Sequence, residues 1–445
     1  MSNKDKTCDF CGKGDSEVEA FLPTQDKEHI ICDLCIRKNS ALLEADARSN
    51  AGEDEVEGPG NIEIKMHTPQ EMYDHLDQYV IGQDSAKRYL SSAVYNHYKK
   101  LLHEHENRVK FKKEDGTEEE VKLDKSNVLM IGPSGSGKTY LVKHLAEMTN
   151  VPFIIADATS LSQAGYVGDD VEVMLTRLVQ SAQGNTAQEK IKRAETGIIF
   201  IDEIDKISKM GAGASITRDV TGEGVQHSLL KLLEGTIANV PMDAGRKHPQ
   251  MPTMQVDTSK ILFVCGGAFS HLTDIIEKRV NKDSSGLGFG SDTTTKKAKE
   301  ELKEKMIHDV VQEDLIEYGM IAEFVGRVPV VVTLDKLSHD EMKRILTEPK
   351  DAILKQYSVL FGMDEKELDI SEEVLDIVVK KAYDMKIGAR ALRSVMEKIL
   401  NDYMFTAPTS SEKVIKITEK FARQRLQIKE KIKKSSKDKI VDKAA

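Results

Sequence analysis

The chain contains no tryptophan, and aromatic residues make up only 5% of its 445 positions. A surface that stacks unpaired bases needs aromatic side chains and positive charge together. Here Lys plus Arg (64) fall short of Asp plus Glu (74), and the formal charge of −10 argues against a globally basic nucleic-acid binder. No run of about 18 apolar residues offers a membrane span, and Met1-Ser-Asn-Lys-Asp-Lys6 leads into no signal-type apolar stretch. The expectation is a cytoplasmic protein with neither membrane nor nucleic acid as a partner. Cysteine is scarce as well: of five residues, four fall between Cys8 and Cys35. That clustering favours a metal site over disulfides. Cys265 stands alone in an apolar run and reads as inert core. No internal repeat is evident.

What is present is a 39% apolar share in a chain long enough for two or three domains. Residues 1–48 form a cysteine-dense module, and 49–66, acidic and Gly/Pro-rich, read as a flexible linker. From Asp84 to about His103, Ala86, Leu90, Val94, Tyr98 and Leu101 recur at helical spacing. The polar stretch from Glu104 to Lys125, with Asp115-Gly116 inside it, predicts a hairpin or solvated insertion. Short apolar runs at 128–131, 153–155, 198–201 and 261–264 then alternate with helical patterns near 138–149, 170–183 and 223–234. This predicts an α/β domain, a largely parallel sheet flanked by helices, over 67–332. Segments near 339–357, 371–384 and 389–405 predict a smaller, mostly helical domain over 333–425. The remainder, 426–445, is a Lys-rich tail.

Gly132-Pro133-Ser134-Gly135-Ser136-Gly137-Lys138-Thr139 matches the phosphate-binding loop, and it lies between an apolar strand and a helix as that loop must. Its glycines let backbone N–H groups turn onto phosphates, and the helix N-terminus adds partial positive charge. Lys138 would reach the β/γ-phosphates and the Thr139 hydroxyl would join the Mg²⁺ shell. From average composition, a chance match in such a chain is on the order of one in a hundred. Downstream, Ile198-Ile-Phe-Ile-Asp202-Glu203 is a buried strand ending in two carboxylates. Alone it would be an ordinary strand end; paired with the loop, it supplies Asp202 for the metal and Glu203 for the attacking water.

Together these motifs resemble AAA+ ATPases, and further stretches are similar to the ClpX family, over about 67–425 plus the cysteine module. Val80 and Ile81, in Tyr79-Val-Ile-Gly-Gln83, resemble the segment that holds adenine, and Tyr140 follows the phosphate loop. By resemblance Arg327, in Glu323-Phe-Val-Gly-Arg-Val-Pro329, is an arginine finger, and Arg390, in Gly388-Ala-Arg390, a sensor of the γ-phosphate. The resemblance makes Tyr166 and Val167 the gripping residues of a first pore loop, Arg218 part of a second, and Arg246-Lys247-His248 a basic loop at the pore entrance. Gly286-Leu287-Gly288-Phe289-Gly290 resembles the loop that docks on a ClpP-type peptidase, with Leu287 where the family often has Ile. After the fourth strand, Val264-Cys265-Gly266-Gly267 offers no polar sensor residue.

Cys8-x-x-Cys11 and Cys32-x-x-Cys35 carry the spacing of a four-thiolate structural zinc site. A closed site of this kind folds a module too small for a core of its own. In the resembled family the module dimerises and receives substrates and adaptors; Phe10, Phe21, Leu22 and Ile30 are the apolar residues available for that contact. The implied activity is ATP-driven unfolding of tagged proteins by a homohexamer. Two rivals remain: an AAA+ nucleic-acid motor or loader, disfavoured by the acidic balance and the Gly-Tyr-Val-Gly loop, and a nucleotide-gated scaffold, which would not require Glu203 and Arg327.

Overall fold

In the computed structural model the described residues are 8, 10–11, 13, 18, 20–23, 29–36, 57–58, 62–106, 110–112, 118–121, 123–162, 169–209, 220–241, 253–283 and 303–427. The chain divides into two units, Met1–Val56 and Glu57–Ala445. In the first, strands Phe21–Pro23 and Ile30–Cys32 pair antiparallel.

The second unit opens with helix α1 (Pro69–Asp77). Thr68 caps it, its hydroxyl accepting from Glu71 N while the Glu71 carboxylate accepts from Thr68 N at 2.7 Å. This reciprocal box, with Pro69 at the first helical position, fixes where the helix starts. Helix α2 (Asp84–Glu106) follows, and Ala86, Leu90, Val94, Tyr98 and Leu101 are all buried along one face, as their spacing predicts. Strands Lys110–Lys112 and Glu118–Glu120 then pair antiparallel, the hairpin expected of the polar stretch.

Five parallel strands form the central sheet: β1 (Val128–Ile131), β2 (Phe153–Asp157), β3 (Ile198–Asp202), β4 (Leu262–Gly267) and β5 (Val330–Thr333), in the order β5-β1-β4-β3-β2. Alternate residues serve opposite cores. Leu129, Ile131, Ile199, Ile201, Phe263 and Cys265 pack on one side; Val128, Met130, Ile198, Phe200, Leu262 and Val264 pack on the other. Both faces of β1, β3 and β4 are covered, so these three read in sequence as continuous apolar runs, whereas the edge strand β2 alternates and leaves Ile155 exposed. Cys265 is core, and burial pushes its thiol up to about 12. Helix α3 (Lys138–Met148) leaves the end of β1, α4 (Val173–Ser181) covers the first face, and α5 (Val220–Glu234) lies beside it.

A third core joins α6 (His339–Thr347), α7 (Ile353–Met363), α8 (Glu372–Asp384) and α9 (Arg390–Thr406). The single helix expected near 339–357 is in fact two. Pro349 has no N–H to donate back into the preceding turn, so the first helix stops at Thr347 with Glu348 as its still helical cap, and the next starts at Ile353. Short strands Glu367–Ile370 and Val414–Ile417 pair in parallel beside these helices, and the hairpin of Ile237–Pro241 with Thr253–Asp257 adds to the larger domain. The sequence periodicity signalled neither pair.

Gly266 marks where the sheet tolerates no side chain, since a Cβ there would stand 2.5 Å from Cζ, at the tip of the buried Phe200 ring. Gly266→Ala should destabilise by about 1–3 kcal/mol through overpacking, read as a lower midpoint of chemical denaturation. Gly362→Ala, with nothing within 4 Å of the added carbon and a helical setting, should instead leave stability unchanged or raise it by about 0.5–1 kcal/mol.

Candidate nucleotide site and metal centre

The carboxyl ends of β1 and β3 open into a cavity of about 870 Å³. Its wall includes the phosphate-loop residues Ser134 to Tyr140, the adjoining Val80 and Ile81, the carboxylates Asp202 and Glu203, and Arg390 from the helical domain. Gly132 and Pro133 lie behind the wall; their carbonyls accept from Lys138 Nζ at 2.6 and 3.0 Å. Burial lowers the pKa of Lys138, with Asp202 and Asp205 opposing that shift. The Ser136 hydroxyl is buried without a partner. An orphaned donor beside a loop of inward-turned backbone suits an anionic ligand rich in acceptor oxygens.

Asp202 has its two oxygens divided. Oδ1 accepts from Glu203 N at 2.9 Å, while Oδ2 faces the Thr139 hydroxyl at 3.4 Å. A hydroxyl and a carboxylate so paired beside a phosphate loop fit a Mg²⁺ shell, which takes oxygen ligands and waters. Glu203 itself is left-handed (φ 56, ψ 33) and exposed. For a non-glycine residue that backbone costs about 1–2 kcal/mol, and it turns the carboxylate away from the strand and into the cavity wall.

The most exacting contact is between backbones. Gly135 has φ +74, and a Cβ on it would meet Ile387 O at 2.4 Å; Gly388 has φ +63, and a Cβ there would meet Ser134 O at 2.6 Å. Ala389 N donates to Gly135 O at 3.2 Å. Only two glycines let these loops approach so closely, and the approach delivers Arg390 to the phosphate end. At the opposite end, Gln83 and Asp335 exchange two hydrogen bonds of 2.9 Å, and Lys350 N donates to Gln78 O at 2.9 Å. The Tyr140 hydroxyl donates to Asp351, and Tyr79 stacks on His144 with ring centres 4.2 Å apart.

Sequence reasoning missed several residues here. Asp205 is buried and accepts from Ala268 N at 3.1 Å through Oδ1, while Oδ2 makes no hydrogen bond and lies 3.5 Å from Lys206 Nζ. Its place two residues beyond Glu203 was the available signal. Lys206, Ser270, Asp351, Gln356 and Arg393 also line the cavity, and nothing local in sequence marks them. Arg327 does not line it; it lies elsewhere, against Glu234. Tyr166, Val167, Arg218, Arg246, Lys247, His248, Leu287, Gly288 and Phe289 fall outside the described residues.

In the first unit, one sulfur from each of Cys8, Cys11, Cys32 and Cys35 lies within 4.8 Å of the others, with Cys11 and Cys32 at 3.6 Å. Four thiolates about 2.3 Å from a tetrahedral zinc stand about 3.8 Å apart, so the cluster fits the ion. Burial acts to raise the Cys8 thiol but is outweighed by N–H groups of Cys32, Cys11 and Phe10, which bring it down to about 6; Cys32 N lies 3.2 Å from its sulfur. The neighbouring Cys11 thiol drives Cys35 the other way, up to about 12. Four such sulfurs cannot all ionise side by side without a cation. Phe10 and Leu22 are exposed on this unit.

Comparison with known proteins fits this geometry. Residues 123–331 match the AAA domain (Cdc48 subfamily), and 337–422 match the C-terminal D2-small domain of ClpB protein. A Treponema denticola protein is 45% identical over 402 residues, 90% of each chain. The chain belongs to the ClpX family. A Bacteroides thetaiotaomicron member is 43% identical over 429 residues, covering 96% of this chain and 97% of its own, and one from Borrelia duttonii is 45% identical over 411 residues, 92% and 89%. All three are known as the ClpX ATP-binding subunit of the ATP-dependent Clp protease. As a member of this family the chain is an AAA+ ATPase. Among the described residues, no helix is long and apolar enough to cross a membrane.

Gly388→Ala should separate the two loops. The expected outcome is a rise of at least about tenfold in the KM for ATP, since left-handed strain of about 1–2 kcal/mol adds to the backbone clash. Steady-state ATP turnover measures it.

Proposed function

We propose that this chain is a cytoplasmic protein unfoldase that works as a homohexamer, pulls tagged substrates through a central pore and delivers them to a ClpP-type peptidase. The observation that carries the reading is the shared nucleotide cavity: one wall comes from the sheet domain and another from the helical domain, so a change in the bound nucleotide changes how the two meet. Residues 67–332 form the large ATPase domain and 333–425 the small one; 1–48 is the zinc module, joined by 49–66, and 426–445 is a tail.

In this reading the phosphate loop from Gly132 to Thr139 cradles the phosphates, Lys138 turning from its carbonyl partners to the β/γ oxygens. Val80, Ile81 and Tyr140 flank the base. Thr139 and Asp202 hold Mg²⁺, which when bound neutralises charge on the β- and γ-phosphate oxygens. Glu203 orients the attacking water and accepts its proton. Arg390 reports the γ-phosphate to the small domain, and Arg327 acts on a neighbour's nucleotide, in keeping with its distance from its own chain's cavity wall. Tyr166 and Val167 grip the substrate, Arg218 and Arg246-Lys247-His248 line its path, and Leu287-Gly288-Phe289 docks on the peptidase. Adaptors and substrates first meet the zinc module, with Phe10 and Leu22 exposed for contact.

Loss of fluorescence from a tagged, stably folded fluorescent protein tests the motor, and a chain without tryptophan adds no indole background. Wild type with ATP should unfold it; Tyr166→Ala should hydrolyse ATP yet fail to unfold. Glu203→Gln should bind ATP and lower turnover at least about 10²-fold. Normal hydrolysis by that variant would remove Glu203 from its role, and brisk turnover without unfolding across several tags would favour a loader or scaffold. For the metal centre, elemental analysis of the reduced chain should find one zinc per chain, lost in the Cys8→Ser, Cys11→Ser double variant.

A further inference from the structure

Arg327 ends the short helix Ala322–Arg327, and its guanidinium meets Glu234, the last residue of α5. Its Nε lies 2.9 Å and its Nη2 2.8 Å from one oxygen, Glu234 Oε1. The backbone is tied to the same place. Asn127, 1% exposed and one residue ahead of β1, donates from Nδ2 to Arg327 O at 2.8 Å and to Leu233 O at 3.2 Å. Arginine main chain and side chain are therefore both fixed to the C-terminal end of α5.

Glu234 is poorly sited for helix stability. The C-terminus of a helix carries partial negative charge and disfavours a carboxylate, and the next residue, Gly235 at φ +95, ends the helix. The ion pair does not repay this through burial, because its side chains are 54% and 47% exposed and exposed pairs add little. What it supplies is direction. Arginine presents five donors in a rigid fork, and Glu234 takes the Nε–Nη2 edge with a single oxygen. Nη1 stands outside the pair, so a guanidinium held in this way keeps an edge for a phosphate oxygen of another molecule.

We infer that Glu234 is a positioning residue for Arg327, holding the guanidinium by one edge so that the other faces the nucleotide bound by a second copy of this chain. The inference rests on the reading of Arg327 as an arginine finger. Glu234→Ala should fold, with an unchanged or raised melting temperature, and lower the kcat for ATP by about tenfold at constant KM. Arg327→Ala should lose about 10³-fold. Each variant of the full chain is then mixed with the Glu203→Gln chain, whose Glu234–Arg327 pair is intact. If Glu234 acts on a neighbour's site, mixing restores turnover by the Glu234→Ala chain, as it does for Arg327→Ala. A normal kcat in Glu234→Ala, or a lowered one that mixing leaves unrestored, overturns the inference. An Arg327→Ala chain that stays active, or that mixing fails to restore, overturns the arginine-finger reading instead. Should Glu234→Ala not fold, Glu234→Gln, which keeps the shape and loses the charge, is measured in the same way.

Discussion

The approach of two glycine-containing loops holds the functional half of this molecule together. Gly135, in the phosphate loop, and Gly388, ahead of α9, meet backbone to backbone, and a single methyl group on either would collide with a main-chain oxygen of the other loop. Both occupy left-handed backbone, which costs glycine little and other residues about 1–2 kcal/mol. From this contact follows the placement of Arg390, whose helix begins two residues later, and hence the closure of the cavity over its phosphate end. On the proposed reading a nucleotide in that cavity would touch two domains at once, which would couple its chemical state to the angle between them.

Electrostatics inside the cavity is arranged around groups that are incompletely satisfied. Lys138 is buried against carbonyl oxygens, which neutralise no charge, while Asp202 and Asp205 supply the countercharge. Ser136 and Asp205 each keep a buried polar atom without a hydrogen bond, the Asp205 one facing only Lys206 Nζ at 3.5 Å. Such atoms cost free energy in the empty protein and return it when oxygen-rich ligands arrive. Glu203 adds backbone strain at the same edge, and strained residues persist where the surrounding structure over-determines them.

Helix α5 connects the catalytic side of the sheet with Arg327. Midway along it, buried Gln226 donates to Ile207 O at 2.7 Å, in the turn that follows Glu203, and accepts from Ile321 N at 2.9 Å, just ahead of the helix that carries Arg327. Its far end holds Arg327 through Glu234 and Asn127. The turn after Glu203 at the cavity and Arg327, which lies outside the cavity wall, are thus both tied to a single helix.

Much of this was legible in sequence. Apolar runs foreshadowed four of the five strands, most plainly β1, β3 and β4, whose two faces are buried, whereas β5 was not among them; α2 was foreshadowed by its spacing because only one of its faces is buried. The phosphate loop, Asp202-Glu203 and the two cysteine pairs are local motifs whose chemistry depends on spacing along the chain, so spacing sufficed to find them. Other features escaped for an equally physical reason. Asp205, Gln356 and Arg393 reach the cavity by tertiary packing, the pairing of Arg327 with Glu234 spans 93 residues, and the 135–388 contact needs two distant glycines to be neighbours. The sequence alone determined which residues could bind phosphate, metal and water, because those capacities belong to side chains and short backbone turns. Only the tertiary structure decided which of them share a cavity, because that depends on how separate cores bring distant loops into contact.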